Sequence, residues 1–481
     1  MRLNIITRYI GLVLILNALF MLLAAGISLY NSFDTGFYPL LLSFTLTMAL
    51  GAFPLIFVDA DNNISTKEGY LIVVGAWVIS CFVGTFPYLL WGGEFDVMNA
   101  WFESVSGFTT TGSTILEDVE RLPRSLLFWR SSTHWLGGIG VVMFVMIIIP
   151  SLGRVKTLLS NVQMSALARE NFKYKTQKII RILLTVYVGL TFLQTVALKI
   201  AGMNWFDALN HSFSTVATGG FSTHTLSIAY YQSPLIEAVI TIFMVIAGLH
   251  FGLIFATISG KKNNVFRSEV SKLYLMVLAG AGVAVSLSLW ISEVFPSAWE
   301  SFRHGIFQVV SVCTTTGFAT TDSNYWTPFA VIILIILSFT CACSGSTTGG
   351  LKIDRILISY KSLLAKVKQL QHPNAVIRVK IDGVIVDNDT MGSVNLFIVI
   401  YLVSILAGTL FISMLGIDIM TSFSAAFASM GNVGPGFGGV ASLCNYSALP
   451  DAAKLVCTTL MLIGRLEIFG LLQIIMFKFW K

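Results

Sequence analysis

Ser106-Gly-Phe-Thr-Thr-Thr-Gly112 is a seven-residue phrase that this chain writes four times. The other copies are Ser214-Thr-Val-Ala-Thr-Gly-Gly220, Ser311-Val-Cys-Thr-Thr-Thr-Gly317 and the divergent Ala428-Ser-Met-Gly-Asn-Val-Gly434. Their closing glycines stand 108, 97 and 117 residues apart (112 to 220, 220 to 317, 317 to 434). That is room for two membrane crossings and a re-entrant loop per copy. Each copy ends an apolar, helix-length stretch, at Val97–Phe108, Phe206–Val216, Trp299–Val312 and Asp418–Met430, that is too short to cross a bilayer. Such segments dip in and stop, and four of them in one chain can close a ring around a pore.

The composition around the phrases names the solvent. Of 481 residues, 55% are hydrophobic and only 11% charged, with a mean hydropathy of +0.80, so the chain belongs in a bilayer. Runs long enough to span fall at about 10–30, 37–57, 69–92, 126–150, 182–201, 233–259, 273–294, 327–344 with a continuation past 350, 392–416 and 454–477, taking about 20 residues per crossing. The last eight pair off, each pair bracketing one glycine phrase. The expected fold is an all-α polytopic membrane protein of four pseudo-symmetric repeats, each helix, pore loop, helix, around one pore. An accessory two-helix hairpin occupies 1–66, and the repeats occupy 67–160, 161–262, 263–380 and 381–481. The apolar stretch after Arg8 outruns a signal-peptide core and reads as a retained helix.

Loop charge orients the spans. Basic residues crowd the connections at 154–181, 261–272 and 352–380, whereas the opposite loops carry Glu94, Glu117, Glu120, Asp207, Asp322 and Asp418 with few bases. The positive-inside rule makes the basic loops cytoplasmic, puts both termini inside and brings the glycine phrases in from outside. The net charge of +6 is thereby used up in topology, and no nucleic-acid partner is expected.

Irregular backbone at membrane depth is tolerated only where it lines water or is buried in protein. Glycine lets successive carbonyls turn to one side and replace a cation's hydration shell. The short helices, entering N-terminus first, aim their negative ends at the centre, which favours a cation. The candidate ion-binding residues are Thr110, Thr111 and Gly112; Thr218, Gly219 and Gly220; Thr315, Thr316 and Gly317; and Asn432, Val433 and Gly434. The fourth set replaces the threonine pair, so the ring is expected to depart from four-fold symmetry.

Span eight meets Thr340-Cys-Ala-Cys-Ser-Gly-Ser-Thr-Thr-Gly-Gly350, too rich in glycine and small polar residues for a lipid-facing helix, and should break there. Cys343, Ser344, Gly345, Ser346, Thr347, Gly349 and Gly350 then form either a mobile loop blocking the path beneath the ring or a tight helix-packing contact. Arg465 sits mid-span, where a charge costs about 2.5–3.5 kcal/mol unless it faces protein or water. It either raises an electrostatic barrier in the conduit near residues 340–350 or pairs with an acid on a neighbouring helix.

The phrases together, with Phe221, Phe318 and Gly436-Phe437 following three of them, resemble the superfamily of bacterial Trk and Ktr potassium-uptake subunits, related to fungal Trk and plant HKT transporters. The N-terminal hairpin resembles the TrkH-like branch. The resemblance implies potassium translocation, a homodimer of pores in the bacterial inner membrane, an intramembrane gate at 340–350, and a cytosolic TrkA-like nucleotide-binding regulatory subunit. Members of the superfamily that prefer sodium often carry serine at the first filter glycine, so Gly112 implies potassium over sodium.

Two transport classes stay open, a gated channel and a secondary symporter coupling potassium to protons or sodium. A carboxylate relay across the core is not evident, which favours the channel. No convergent acid, base and nucleophile set marks an enzyme. The six cysteines (81, 313, 341, 343, 444, 457) and six histidines lack metal-ligand spacing and read as buried thiols and packing residues. Arg130 is expected to snorkel to headgroups. Glu103 and Glu300 either gather cations at the mouth or are solvated helix ends. The stretches 352–389 and 151–181 are the expected docking surface for the regulator.

Overall fold

The computed structural model describes residues 2–59, 66–148, 176–261, 263–375 and 377–466. Helices α1 (Leu3–Tyr30) and α2 (Phe37–Phe57) make the N-terminal hairpin. Their backbones nearly touch, because a Cβ on Gly11 would lie 2.5 Å from Gly51 O, the close approach that small residues allow in membranes. The hairpin leans on the rest of the fold through Asn17, whose amide donates to Ser80 Oγ at 2.9 Å. Asp34 adds a second tie, accepting from Ser125 N and Oγ at 3.1 and 2.7 Å.

Four units follow. The first comprises α3 (Thr66–Gly84), α4 (Phe86–Trp91), α5 (Val97–Phe108) and α6 (Arg124–Ile148). The second has α7 (Thr176–Ile200), α8 (Trp205–Val216), α9 (Pro234–Ala247) and α10 (Phe251–Ile258). The third has α11 (Glu269–Ile291), α12 (Ala298–Cys313), α13 (Pro328–Phe339) and α14 (Ile353–Gln371), and the fourth α15 (Asn388–Met414), α16 (Ile419–Gly431) and α17 (Asp451–Arg465). Six described helices are long and apolar enough to cross a membrane, and α9 and α10, bent by 102°, pass the same test only when taken together. The remainder of the expected span 454–477 after residue 466, and most of the basic connection 151–181, lie outside the described residues.

The short helices begin where the sequence places capping side chains. Asp96, Asn204, Ser297 and Asp418 each accept from the backbone N–H three residues on, at Asn99, Asp207, Glu300 and Thr421, satisfying a donor the helix leaves orphaned.

The returning helix of three units is broken after the same interval. Gly140 sits inside α6 at φ 66° and ψ 160°, α9 and α10 meet at 102°, and α13 ends at Phe339 before residues 340–352. Gly140, Gly248 and Gly345 each stand 28 residues after the closing glycine of their own phrase (112, 220, 317). The expectation of one continuous span over 233–259 is therefore corrected. His250 Nδ1 accepts from Gly252 N at 3.0 Å and Leu253 N at 3.3 Å, starting a new helix inside an unbroken apolar run. On the same side as these breaks, α14 packs with a hairpin of β3 (Lys380–Ile381) and β4 (Val384–Ile385) around Leu357, Ile358, Ile381 and Val386. The breaks at 340–352 are themselves joined by β1 (Thr340–Cys341) and β2 (Leu351–Lys352), paired in parallel.

Candidate ion-conduction site

Each glycine phrase closes its short helix with the same pair of bonds. The sixth residue's N–H returns to the first residue's carbonyl, from Thr111 to Ser106 at 2.9 Å, Gly219 to Ser214 at 2.8 Å, Thr316 to Ser311 at 2.9 Å and Val433 to Ala428 at 2.9 Å. The fifth residue's N–H returns to the second's carbonyl at 2.9 to 3.2 Å in all four. This is a Schellman closure, which demands a left-handed residue at the fifth position. Thr110, Thr218, Thr315 and Asn432 occupy it at φ 53°, 55°, 53° and 52°. The expected departure from four-fold symmetry is therefore absent from the backbone. Asparagine tolerates this region, whereas a β-branched residue there is strained, a cost usually met at functional sites.

The seventh-position glycines, at φ 85°, 82°, 80° and 96°, link the four loops. A Cβ on Gly112 would lie 2.0 Å from Gly219 O, one on Gly220 2.0 Å from Thr316 O, one on Gly317 2.4 Å from Val433 O, and one on Gly434 2.5 Å from Thr111 O. Each glycine abuts the sixth-position carbonyl of the next unit, and the fourth returns to the first. Nothing larger than hydrogen fits. All four glycines line one vestibule, whose wall also includes Arg130, Ser222, His224, Cys444 and Tyr446. Cys444 is exposed there, unlike the buried Cys81, Cys313, Cys343 and Cys457.

Residues 340–350 lie against the C-terminal ends of the short helices, at the glycine phrases themselves. Thr347 Oγ1 donates to Val216 O at 2.9 Å and Gly349 N donates to Thr315 Oγ1 at 3.0 Å. The loop is stitched to the break in the second unit by Cys343 N to Gly248 O at 3.0 Å and Phe251 N to Gly345 O at 3.2 Å. Asp354 accepts from Ser344 N and Oγ at 3.2 and 2.5 Å, and Ser346 Oγ donates to Cys343 O at 2.6 Å. Gly345 and Gly350, at φ 80° and 60°, make the turns. Arg465 enters from α17 and donates to Thr347 O and Gly137 O, both at 2.8 Å. It thus binds the loop and α6 three residues before the break at Gly140.

The TrkH family profile, described as a cation transport protein, matches residues 40–478. The chain belongs to the TrkH family. It is 34% identical over the whole length of both chains to the Trk system potassium uptake protein TrkH of Salmonella typhimurium, and 31% identical over 99% of both to TrkG of Escherichia coli. The crystal structure of the potassium transporter TrkH from Vibrio parahaemolyticus superposes with a TM-score of 0.91 at 30% identity, covering both chains completely. The family is one of membrane transporters and not of enzymes.

Within this TrkH-family chain several expectations need correction. Arg130 does not snorkel, being 2% exposed and 2.6 Å from the equally buried Glu103. Glu103 therefore gathers no cations at the mouth, and Glu300 lies in the first turn of α12, where its N–H meets Ser297 Oγ at 3.2 Å. His134 stacks on Phe221 at 4.0 Å and is a packing residue as read. His224, in contrast, is held between Glu120 Oε1 at 3.3 Å and Asp207 Oδ2 at 3.4 Å. Sequence reasoning missed this bridge and the break at His250. A histidine flanked two residues away by Gly248 and Gly252 inside an apolar run was the available signal for the second.

Proposed function

We propose that this chain takes up potassium through a gated, channel-like pore, with backbone carbonyls of residues 110–112, 218–220, 315–317 and 432–434 as the selectivity filter. The observation that carries the reading is the closed cycle of glycine-to-carbonyl approaches from the first unit to the fourth and back. Four equal left-handed turns present equivalent carbonyls about one centre, and a desolvated alkali ion needs such a set. The names of the relatives, potassium uptake proteins and a potassium transporter, agree with the ion.

The repeats run over 67–160, 161–262, 263–380 and 381–481 after a hairpin at 1–66, with the vestibule outward and both termini cytoplasmic. Residues 340–350 close the path beneath the filter, and Arg465, tied to Thr347, holds the loop in place and repels cations. The protein works as a homodimer in the bacterial inner membrane under a cytosolic TrkA-like nucleotide-binding subunit, which docks on the surface containing α14 and the β3–β4 hairpin.

The test is ion flux in liposomes with potassium, rubidium and sodium, comparing the native chain with Gly112→Ser. The serine side chain collides with Gly219 O and is strained at φ 85°, so discrimination against sodium should be lost. Equal native passage of potassium and sodium would overturn the ion assignment. A reversal potential that moves with a proton or sodium gradient would replace the channel by a symporter.

A further inference from the structure

The ion pair of Glu103 and Arg130 is buried beside the vestibule, and its hydrogen bonds run to two different units. Glu103 accepts from Thr114 Oγ1 at 3.0 and 3.1 Å and from Ile115 N at 3.1 Å, on the strand that leaves Gly112. Arg130 Nε meets Glu103 Oε1 at 2.6 Å, while its Nη1 donates to Ser222 O at 2.9 Å, on the strand that leaves Gly220. The guanidinium also lies 3.7 Å over the ring of Phe221, the residue next to that glycine. A planar fork that pairs with a carboxylate, reaches a carbonyl and stacks on an aromatic face at once is a task for arginine and not lysine.

Both residues are 2% exposed or less, although Arg130 reaches the vestibule wall. A buried ion pair is weak as a stabilising device because desolvation offsets the attraction, so its value here lies in geometry. It fixes the distance between the two strands at the place where Gly112 approaches Gly219 O. Among the described residues the other units do not repeat this pair at the matching positions, and the ion pair that joins α9 to α12, Arg303 Nε with Glu237 Oε2 at 3.1 Å, is placed differently. The position of Glu103, three residues before each phrase, is His211, Gln308 and Ala425 in the others, and the position of Arg130, 18 residues after each closing glycine, is Ala238, Ile335 and Ala452.

We propose that Glu103 and Arg130 are positioning residues for ion selection, setting the spacing of the first and second filter strands and thereby the preference for potassium over sodium. The proposal rests on the filter reading above. It is tested with the full chain in liposomes, measuring potassium and sodium flux and thermal unfolding for native protein, Arg130→Lys, Glu103→Gln and Gly112→Ser. Arg130→Lys keeps the charge beside Glu103 and loses the fork to Ser222. It should fold, conduct, and lose about tenfold in the potassium-to-sodium flux ratio, equivalent to about 1.4 kcal/mol of discrimination. Glu103→Gln should shift the ratio in the same direction, and it decides the matter if the lysine variant does not fold. A merely structural pair would lower the unfolding temperature and leave the ratio untouched, and that result overturns the proposal. Native protein that itself passes both ions equally, with Gly112→Ser no different, overturns the filter reading instead.

Discussion

Asn432 Nδ2 donates to Thr111 Oγ1 at 2.9 Å and to Met461 O at 3.0 Å, so the last glycine loop is fastened to the first by a side chain the other three loops do not have. The same residue takes the left-handed turn that Thr110, Thr218 and Thr315 take under strain. The divergent fourth phrase is thus the relaxed one, and it joins the two ends of the cycle.

Restoring sequence symmetry should therefore harm the protein. Asn432→Thr removes the bond to Thr111 and puts a β-branched residue at φ 52°, at a cost of about 1–3 kcal/mol for the backbone alone. Asn432→Gly relieves the backbone and loses only the bond, worth about 1 kcal/mol. Thermal unfolding in detergent should rank native above glycine above threonine. A threonine variant as stable as native removes this account of the fourth loop.

Arg465 donates to two carbonyls, Thr347 O and Gly137 O. On the proposed gating role, replacing it with alanine frees the loop and removes its charge, so basal potassium flux should rise in the absence of any regulator. Arg465→Gln separates the two effects, since its amide still donates to a carbonyl but carries no charge. If charge is the barrier, glutamine behaves like alanine; if the tether is, glutamine stays close to native. Flux unchanged or lower in the alanine variant, at normal expression, counts against both.

The elements that local sequence dictates were legible in advance. Asp96 and Asn204 stop the chain from continuing as coil and start helices within one residue of the expected places, because a cap acts on the N–H three residues away. The spacing of the four phrases forced the ring for a similar reason, since short helices in a bilayer need one another to bury their ends. Arg130 was misread because its partners, Glu103 and Ser222, lie 27 and 92 residues away, and a mid-chain arginine near a span end looks the same whether it meets lipid or carboxylate. The break at Gly248 was hidden by hydropathy, which stays high from Ile236 to Ile258 while the direction of the helix changes by 102°.

His224 gives the vestibule a pH signature. Burial works against charging its ring, but the hydrogen bond and charge of Asp207, followed by those of Glu120, outweigh burial and hold its pKa above the ordinary value of 6.5. Asp207 and Glu120 are both held below the usual carboxylate range, burial opposing in each case and the hydrogen bonds from His224, Thr223 and Thr225 prevailing, so neither titrates near neutrality. A group with a raised folded pKa contributes stability that is complete below its unfolded value and fades as pH rises through the folded one. Native protein should therefore lose stability relative to His224→Gln as pH climbs from about 6 to 8, read as the difference in unfolding temperature. A difference independent of pH would show that folding leaves the ring's pKa where the unfolded chain has it, and a native advantage that grows with pH would show a ring held neutral.

Gly345 tests whether residues 340–350 act as a seated plug. Its φ of 80° is strained for any other residue, and a Cβ there would lie 2.5 Å from the ring of His250, whose Nδ1 starts α10. Gly345→Ala must therefore either lift the loop or push the histidine off its cap, and both unseat the bonds from Thr347 to Val216 and from Gly349 to Thr315. Those bonds hold the loop against the short helices of the second and third units, directly beneath the glycine cycle. Basal potassium flux should increase while the potassium-to-sodium ratio stays native, because the four glycines above are untouched. Gly349→Ala, whose Cβ would meet Gly431 O at 2.4 Å, disturbs the same seat at the fourth unit and should act in the same direction. A loop that serves only to pack helices predicts the opposite pattern, with both variants losing stability and neither gaining flux.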